Sequence, residues 1–323
     1  MRLAIFGCGV IGTKRVAAAH GHDIIAVCDL DEGRRQVLAA DTSARAFVHW
    51  QDALAVDIDA AVVATSHDSL AQIALAAAES GRHVLVEKPG GRRVDEVQPI
   101  AEAAKRRGIV VKVGFNHRFH PAIVRAKTMA DAGMIGPLMF VRGRYGHGGR
   151  VGYEKEWRFK PEISGGGELI DQGSHLIDLS RWLLGELNLA YGMAPTYFWP
   201  GQVDDNCFLA LTNATGCMAW LHASWTEWKN QFSLEIMGRD GKLTIDGLGG
   251  SYGVERLTHH RMLPQMGPPE TTNWEFPGPD RSFVEEFENF VASVEDGAPV
   301  IGGIEDAMAT LEIIQSVYER GRR

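Results

Sequence analysis

Long apolar runs are missing from this 323-residue sequence: none approaches the length needed to span a bilayer. Cysteine is scarce. Cys8, Cys28, Cys207 and Cys217 show no C-x-x-C spacing and fall in expected strands or a glycine turn. They are read as reduced, buried thiols, and the compartment as cytoplasmic. Positive charge is also short, with 33 Lys and Arg against 41 Asp and Glu and a net charge of −8. That balance argues against nucleic acid or an anionic membrane as a partner. The sequence has no internal repeat and no low-complexity tail. Residues 2–7 already read as a strand and its turn, so no signal peptide is expected. What remains is an ordinary soluble composition, 45% hydrophobic and 23% charged, in a length that suggests two domains.

The first half alternates strand and helix. A strand over 3–6 runs into Gly7-Cys8-Gly9-Val10-Ile11-Gly12, a G-x-G-x-x-G opening a helix over 13–20. Gly7 permits a tight turn, Gly9 lets a pyrophosphate approach the backbone, and Gly12 lets helix and strand pack closely. In a chain with 37 glycines the pattern alone is weak, but its context strengthens it. A second strand over 24–28 ends in Asp29, seventeen positions after Gly12 and near the roughly twenty expected for a carboxylate that accepts from an adenosine ribose. An acid there favours NAD over NADP. Asp29 could instead cap the helix begun at Asp31, and Arg34 and Arg35 read as a solvated helix face.

Strands over 61–64, 84–86 and 109–113, with helices over 69–79 and 94–107, imply a doubly wound parallel sheet. Thr65, Ser66 and His67 follow one of these strands, so they line its carboxyl edge as cofactor contacts or as a plain helix cap. Val84-Leu85-Val86 ends in Glu87-Lys88-Pro89, where proline stops the ladder. The Lys88 ammonium is thereby left at the edge where open α/β sheets bind ligands.

After Asn116 the rhythm changes. A helix over 118–132 leads into Gly133 and Gly136-Pro137. Strands then follow over 138–145, 207–211, 217–225, 232–237 and 242–245. Phe232, Leu234 and Ile236 alternate with Ser233, Glu235 and Met237, as on a half-covered antiparallel sheet. Arg239-Asp240-Gly241-Lys242 signals a hairpin. Exposed apolar residues on this open sheet, with Trp220 and Trp225 among them, suggest a homodimer or homotetramer. The proline-rich stretch 264–279 reads as a surface loop, and helices over 283–295 and 304–320 close the chain. The expected division is a nucleotide domain over 1–117 and a substrate and oligomerisation domain over 118–323, the second an α/β domain on a large open, mostly antiparallel sheet.

One helix interrupts those strands. Within it Asp171, His175 and Asp178 fall at i, i+4 and i+7, one stripe of an α-helix. Gly173 in its middle costs about 1 kcal/mol and makes sense if something approaches the backbone. A third ligand at suitable spacing is missing, so no metal is expected. The bland alternative is a solvated polar stripe.

Together these residues resemble the glucose–fructose oxidoreductase / inositol dehydrogenase / MocA family along nearly the whole chain. The resemblance rests on Gly7-x-Gly9-x-x-Gly12, Glu87-Lys88-Pro89, Asn116 with Arg118-Phe119, Trp157-Arg158, and Gly165-Gly166-Gly167 followed by Asp171-x-Gly173-x-His175-x-x-Asp178. It implies a Rossmann domain, a second domain on an open mixed sheet, and NAD(P)-dependent oxidation or reduction of a secondary alcohol on a sugar, cyclitol or nucleotide sugar. It also implies that Lys88, Asp171 and His175 occupy catalytic positions, and that Gly7, Gly9, Val10, Ile11, Gly12, Asp29, Thr65, Ser66, His67, Glu87, Lys88, Asn116, Trp157 and Arg158 approach the cofactor. Leu70 stands where the family often has histidine, a departure in the Thr65–Leu70 loop.

Hydride transfer needs a base for the alcohol proton and a cation or donor for the developing alkoxide. His175 suits the first role, Lys88 the second, and Asp171 would orient a hydroxyl or the imidazole. An amine from the first half and an imidazole from the interrupting helix are expected to serve one substrate. The candidate substrate loop, residues 143–161, holds Arg144, His147 and Tyr153, and carries five cationic residues against two acidic ones. That local charge suggests an anionic group on the substrate, with cofactor-phosphate or intersubunit pairing as the alternative. Two other functions fit the scaffold: an NAD-retaining hydrolase or epimerase, and a non-enzymatic NAD-binding regulator.

Overall fold

The computed structural model describes residues 1–321. The chain divides into two compact units. The first comprises residues 1–115, 162–165 and 283–311, and the second 116–161, 166–282 and 312 onward.

The first unit is built on β1 (Arg2–Phe6), α1 (Val10–Ala18), β2 (Asp23–Cys28), α2 (Glu32–Thr42), β3 (Arg45–Phe47), α3 (Trp50–Leu54), β4 (Ala60–Val63), α4 (His67–Glu79), β5 (His83–Glu87), α5 (Val94–Arg107) and β6 (Val111–Gly114). Its six strands pair in parallel in the order β3-β2-β1-β4-β5-β6. This is the doubly wound order, with its switch point between β1 and β4. The central strands are apolar on both faces because helices cover both sides. Helix α1 starts three residues earlier than its pattern suggests, since Gly9 takes an extended conformation as N-cap.

The second unit begins with a 3₁₀ turn, Asn116–Phe119, and continues through α6 (Pro121–Asp131) and β7 (Leu138–Gly146); the chain passes through a short turn of helix, α7 (Pro161–Ser164), most of which belongs to the first unit, and returns to a longer helix α8 (Ser174–Leu184). Then follow β8 (Asn188–Met193), β9 (Asn206–Thr212), β10 (Met218–Ser224), β11 (Gln231–Gly238), β12 (Gly241–Asp246), β13 (Glu255–Arg261) and β14 (Glu270–Phe276). These strands form one eight-stranded sheet, order β14-β13-β12-β11-β7-β10-β9-β8, antiparallel except where β7 runs beside β10. One face buries Gly143, Leu221, Leu234, Ile245 and Leu257 in one cross-strand row, and α8 lies over it. The opposite face carries Arg142, Arg144, Trp220 and His222.

The chain closes with α9 (Ser282–Glu295) and α10 (Ile304–Gly321). Sequence reading places α9 in the second half, but residues 283–311 belong to the first unit. Phe287 and Phe290 are buried among Leu3, Ile5, Val27 and Val62, each worth about 2 kcal/mol of burial. Glu286 pairs with the buried Arg15 of α1 at 2.6 Å.

Three further expectations are corrected. Half of the supposed surface loop 264–279 is the edge strand β14, which presents mostly polar side chains and so gives no apolar alternation. Trp225 is not an exposed sheet residue: it packs fully buried with Tyr153, Phe159 and Trp199, whereas Trp220 is half exposed. Arg35 is buried and donates to the Asp29 carbonyl at 2.7 Å, leaving Arg34 on the solvated face.

Candidate functional site

In the first unit the glycine turn, Thr65 and Lys88 all follow the carboxyl ends of adjacent parallel strands, β1, β4 and β5. Gly7 has φ +95°, and a Cβ there would sit 2.4 Å from the Ala64 carbonyl oxygen. A Cβ on Gly12 would lie 1.8 Å from the Gly7 oxygen, so only glycine closes the turn against α1. At Gly9 the nearest atom would be 3.8 Å away, on Arg34. The protein itself leaves that space open. Helix α1 has no side-chain cap and no acidic residue in its first turn, so its leading N–H groups and the helix dipole present an anion site.

Asp29 completes this cradle. Its Oδ2 accepts from the Cys8 amide at 2.7 Å and its Oδ1 from the Asp31 amide at 2.9 Å. The helix cap is Asp31, which accepts from the Arg34 amide at 3.0 Å. A carboxylate offers about four lone-pair directions, so Asp29 keeps acceptor capacity for ribose hydroxyls. These residues fit NAD, and the first unit is an NAD-binding Rossmann domain. Burial pushes the Cys8 thiol up to about 12 and the Cys28 thiol up to about 11, so both stay protonated and unreactive.

Glu87 accepts from Arg15 Nε at 2.7 Å, and its Oε1 lies 2.5 Å from Arg15 Nη2. Arg15 holds Glu286 as well, and these two carboxylates keep its pKa raised although burial acts against the charge. The strand end that delivers the half-buried Lys88 is therefore anchored from below. Thr65 and Ser66 are spent locally: Thr65 Oγ1 accepts from Ser69 Oγ at 2.9 Å, and Ser66 Oγ donates to Asp68 at 2.6 Å. His67 is buried with Nδ1 2.8 Å from the Ser164 carbonyl, which assigns the proton to Nδ1. Leu70 is a core residue of α4.

In the second unit the interrupting helix opens with a π turn, Leu169–Gly173, and becomes α-helical over Ser174–Leu184. The wide turn is pinned by Asp204, which accepts from the Gly167 and Leu169 amides at 2.9 and 2.7 Å and from Tyr318 Oη at 2.8 Å. Asp171 accepts from Arg158 Nε at 3.0 Å. Asp178 instead holds Arg118 by two bonds, 2.8 Å from Nε and 2.6 Å from Nη2, with both groups buried.

His175 stacks on His117, ring centres 3.7 Å apart at 22°. Two imidazolium charges at that spacing would repel, so the pair disfavours double protonation. His117 Nδ1 lies 3.2 Å from Asn116 Oδ1, and Asn116 Nδ2 donates to Ser282 Oγ at 2.8 Å. Asn116 is thus engaged inside the second unit. Tyr145 lies edge-on to the His175 ring, tilted against His117 and against Tyr252, whose hydroxyl accepts from Gln172 Nε2 at 3.1 Å. Burial raises the pKa of both tyrosines, so they serve as neutral hydroxyls.

The substrate loop is only partly as expected. His147 Nδ1 accepts from the Gly149 amide at 2.8 Å, and burial lowers its pKa, so it is a neutral ring. Tyr153 is a core residue of the aromatic cluster that backs His147 at 5.4 Å. Arg144 projects from the face of β7 opposite Tyr145 and is not brought to His175. Arg150 pairs with Glu156, and Arg158 with Glu156 and Asp171. Internal pairing of these two cations weakens the inference of an anionic substrate. Arg158, whose guanidinium lies over the Trp157 ring at 4.8 Å, belongs with Asp171. His117, Tyr145, Gln172 and Tyr252 escaped sequence reading. Only Tyr145 had a signal, the alternation of Val141, Gly143 and Tyr145 on the buried face of β7.

Residues 1–115 match the oxidoreductase family with an NAD-binding Rossmann fold, and residues 123–244 match the GFO/IDH/MocA C-terminal domain. A levoglucosan dehydrogenase of Pseudarthrobacter phenanthrenivorans is 30% identical over 59% of this chain and 56% of its own. For an inositol 2-dehydrogenase of Saccharopolyspora erythraea the figures are 31%, 68% and 65%. The matched stretch therefore spans between half and two thirds of these relatives' lengths. A solved levoglucosan dehydrogenase in complex with NADH and levoglucosan superposes with TM-score 0.88, covering 100% of this chain and 97% of that one at 22% identity, and so shares the fold.

Proposed function

Because this chain belongs to the GFO/IDH/MocA oxidoreductase family, we propose that it is an NAD-dependent dehydrogenase acting on a secondary hydroxyl of a sugar or cyclitol. The observation that carries the proposal is the glycine cradle with Asp29 on the same sheet edge as Lys88. The relatives named for levoglucosan and inositol support the substrate class. Bound NAD supplies the hydride acceptor, and the protein supplies position and proton handling.

In this reading Lys88 holds the reacting oxygen as a hydrogen-bond donor, and His175 takes the hydroxyl proton as general base. Stacking on His117 disfavours a second charge and so keeps an imidazole ready to accept. Asp171, fixed by Arg158, accepts from a neighbouring substrate hydroxyl. Pairing within residues 143–161 favours an uncharged polyol over an anionic sugar.

The test is absorbance at 340 nm with NAD and NADP against polyols, sugars, sugar acids and nucleotide sugars. Reduction of NAD by a neutral polyol or sugar is expected. Lys88→Ala and His175→Ala should lose turnover while NAD affinity stays within a few-fold, and equal loss of NAD binding in both would refute the assigned roles. We further propose that the exposed sheet face around Trp220, Met218, Tyr191 and Met193 meets a second copy. Trp220→Asp should then shift the molecular mass measured by light scattering to that of the monomer.

A further inference from the structure

Beyond the imidazole pair, the second unit exposes aromatic rings on a rigid frame. Trp228 is 64% exposed and Phe198 56%, and their rings meet edge-on at 4.8 Å and 88°. Trp228 also holds a left-handed backbone, φ +58°, a conformation that costs energy for a bulky residue and that recurs at ligand sites. Around Phe198 nothing is loose: the amides of Tyr197, Phe198 and Trp199 all donate to Asp205 at 2.7–2.9 Å. Trp199 Nε1 donates to the Trp225 carbonyl at 3.0 Å. Order of this kind is costly to build for rings left in water.

The frame is keyed to the candidate site. His147 donates its amide to the Ser224 carbonyl at 2.9 Å and its carbonyl accepts from the Glu227 amide at 3.2 Å. A Cβ on Gly148 would come within 2.7 Å of Trp228 Cα, and one on Gly149 within 2.6 Å of the Trp199 ring. The His147 loop therefore lies directly against both tryptophans. His147 in turn is close enough to Asp171 for that carboxylate to act on its titration.

We propose that Trp228 and Phe198 form an accessory subsite that stacks the apolar C–H face of a second sugar ring, so that the substrate is a glycoside of at least two rings. This rests on the dehydrogenase reading of the neighbouring site. Two perpendicular rings make a corner that suits the flat face of a pyranose, and continuity with His147 distinguishes it from the apolar sheet face around Trp220.

The experiment compares wild type, Phe198→Ala and Trp228→Gly, the glycine chosen because it adopts the left-handed backbone without strain. For methyl β-glucoside and cellobiose, and for methyl α-glucoside and maltose, the ratio of kcat/KM for disaccharide over monosaccharide is measured with NAD. Saturation-transfer NMR on the disaccharides reads which ring touches the protein. The wild-type ratio should be about tenfold above one and should fall to near one in both variants, with loss of saturation on the second ring. An unchanged ratio and unchanged saturation would overturn the subsite, as would a variant that changes only the molecular mass. If wild type oxidises none of the four sugars, the dehydrogenase reading fails on this panel, while the NMR readout still decides the subsite.

Discussion

Replacing Asp178 with Asn removes the carboxylate that Arg118 holds by two bonds, in a volume that hardly changes. Both side chains are under 5% exposed and are joined by bonds of 2.6 and 2.8 Å. With charge centres about 4 Å apart and an effective dielectric near 20, their attraction is about 4 kcal/mol. Breaking one side of a buried pair costs about 3–5 kcal/mol, because the remaining charge stays desolvated. For a unit of this size that is a fall in Tm of about 6–20 °C. The assay is thermal unfolding followed by circular dichroism, alongside the double variant Arg118→Met/Asp178→Leu. The double variant should recover most of the loss, since an apolar pair of similar volume carries no desolvated charge. Since Arg118 follows His117 and Asp178 lies one turn beyond His175, Asp178→Asn should also lower kcat. A shift below 3 °C, or a double variant as unstable as the single one, would refute the reasoning.

Gly9→Ala should leave Tm within about 1 °C and weaken NAD binding at least tenfold by calorimetry, because the added methyl meets no protein atom closer than 3.8 Å but blocks the cradle. Gly12→Ala should lose both, since its Cβ would overlap the Gly7 oxygen. Asp29→Ala should narrow the preference for NAD over NADP in paired titrations, and an unchanged preference would reduce Asp29 to a turn residue. Tyr252→Phe should cost about 1 kcal/mol through the lost Gln172 bond while reducing kcat/KM more than tenfold if the hydroxyl meets substrate. Burial lowers the pKa of His147 in the native state. The unfolded chain therefore binds its proton at higher pH, so stability rises with pH through the window just below 6.5 and is lost on acidification. His147→Gln should flatten the fall in Tm between pH 7.5 and 5.5, and an unaltered fall would refute this.

The nucleotide half was readable because its signals are local. Gly7, Gly12 and Asp29 act through backbone contacts within a few residues or one strand away, and buried parallel strands show as apolar runs. The candidate site of the second unit was only half readable. Asp171 and His175 stand out by spacing, but the π turn on which Asp171 sits depends on Asp204, more than thirty residues away. His117 and Tyr252 reach the same cluster from a 3₁₀ turn and a glycine-rich loop, neither of which carries periodicity. Arg144 and Tyr153 misled because a composition count cannot say which side of β7 a residue takes, or whether a ring faces solvent or core.

The burial of Phe287, Phe290 and Glu286 in the first unit has a consequence for how the polypeptide is made. A ribosome that has released residues 1–115 has delivered every strand of the parallel sheet, and Glu87 for Arg15, but not the helix that fills its flank and brings the second carboxylate, Glu286. A fragment ending at residue 115 leaves the pocket of Phe287 and Phe290 unfilled and should therefore unfold at lower temperature than the whole chain.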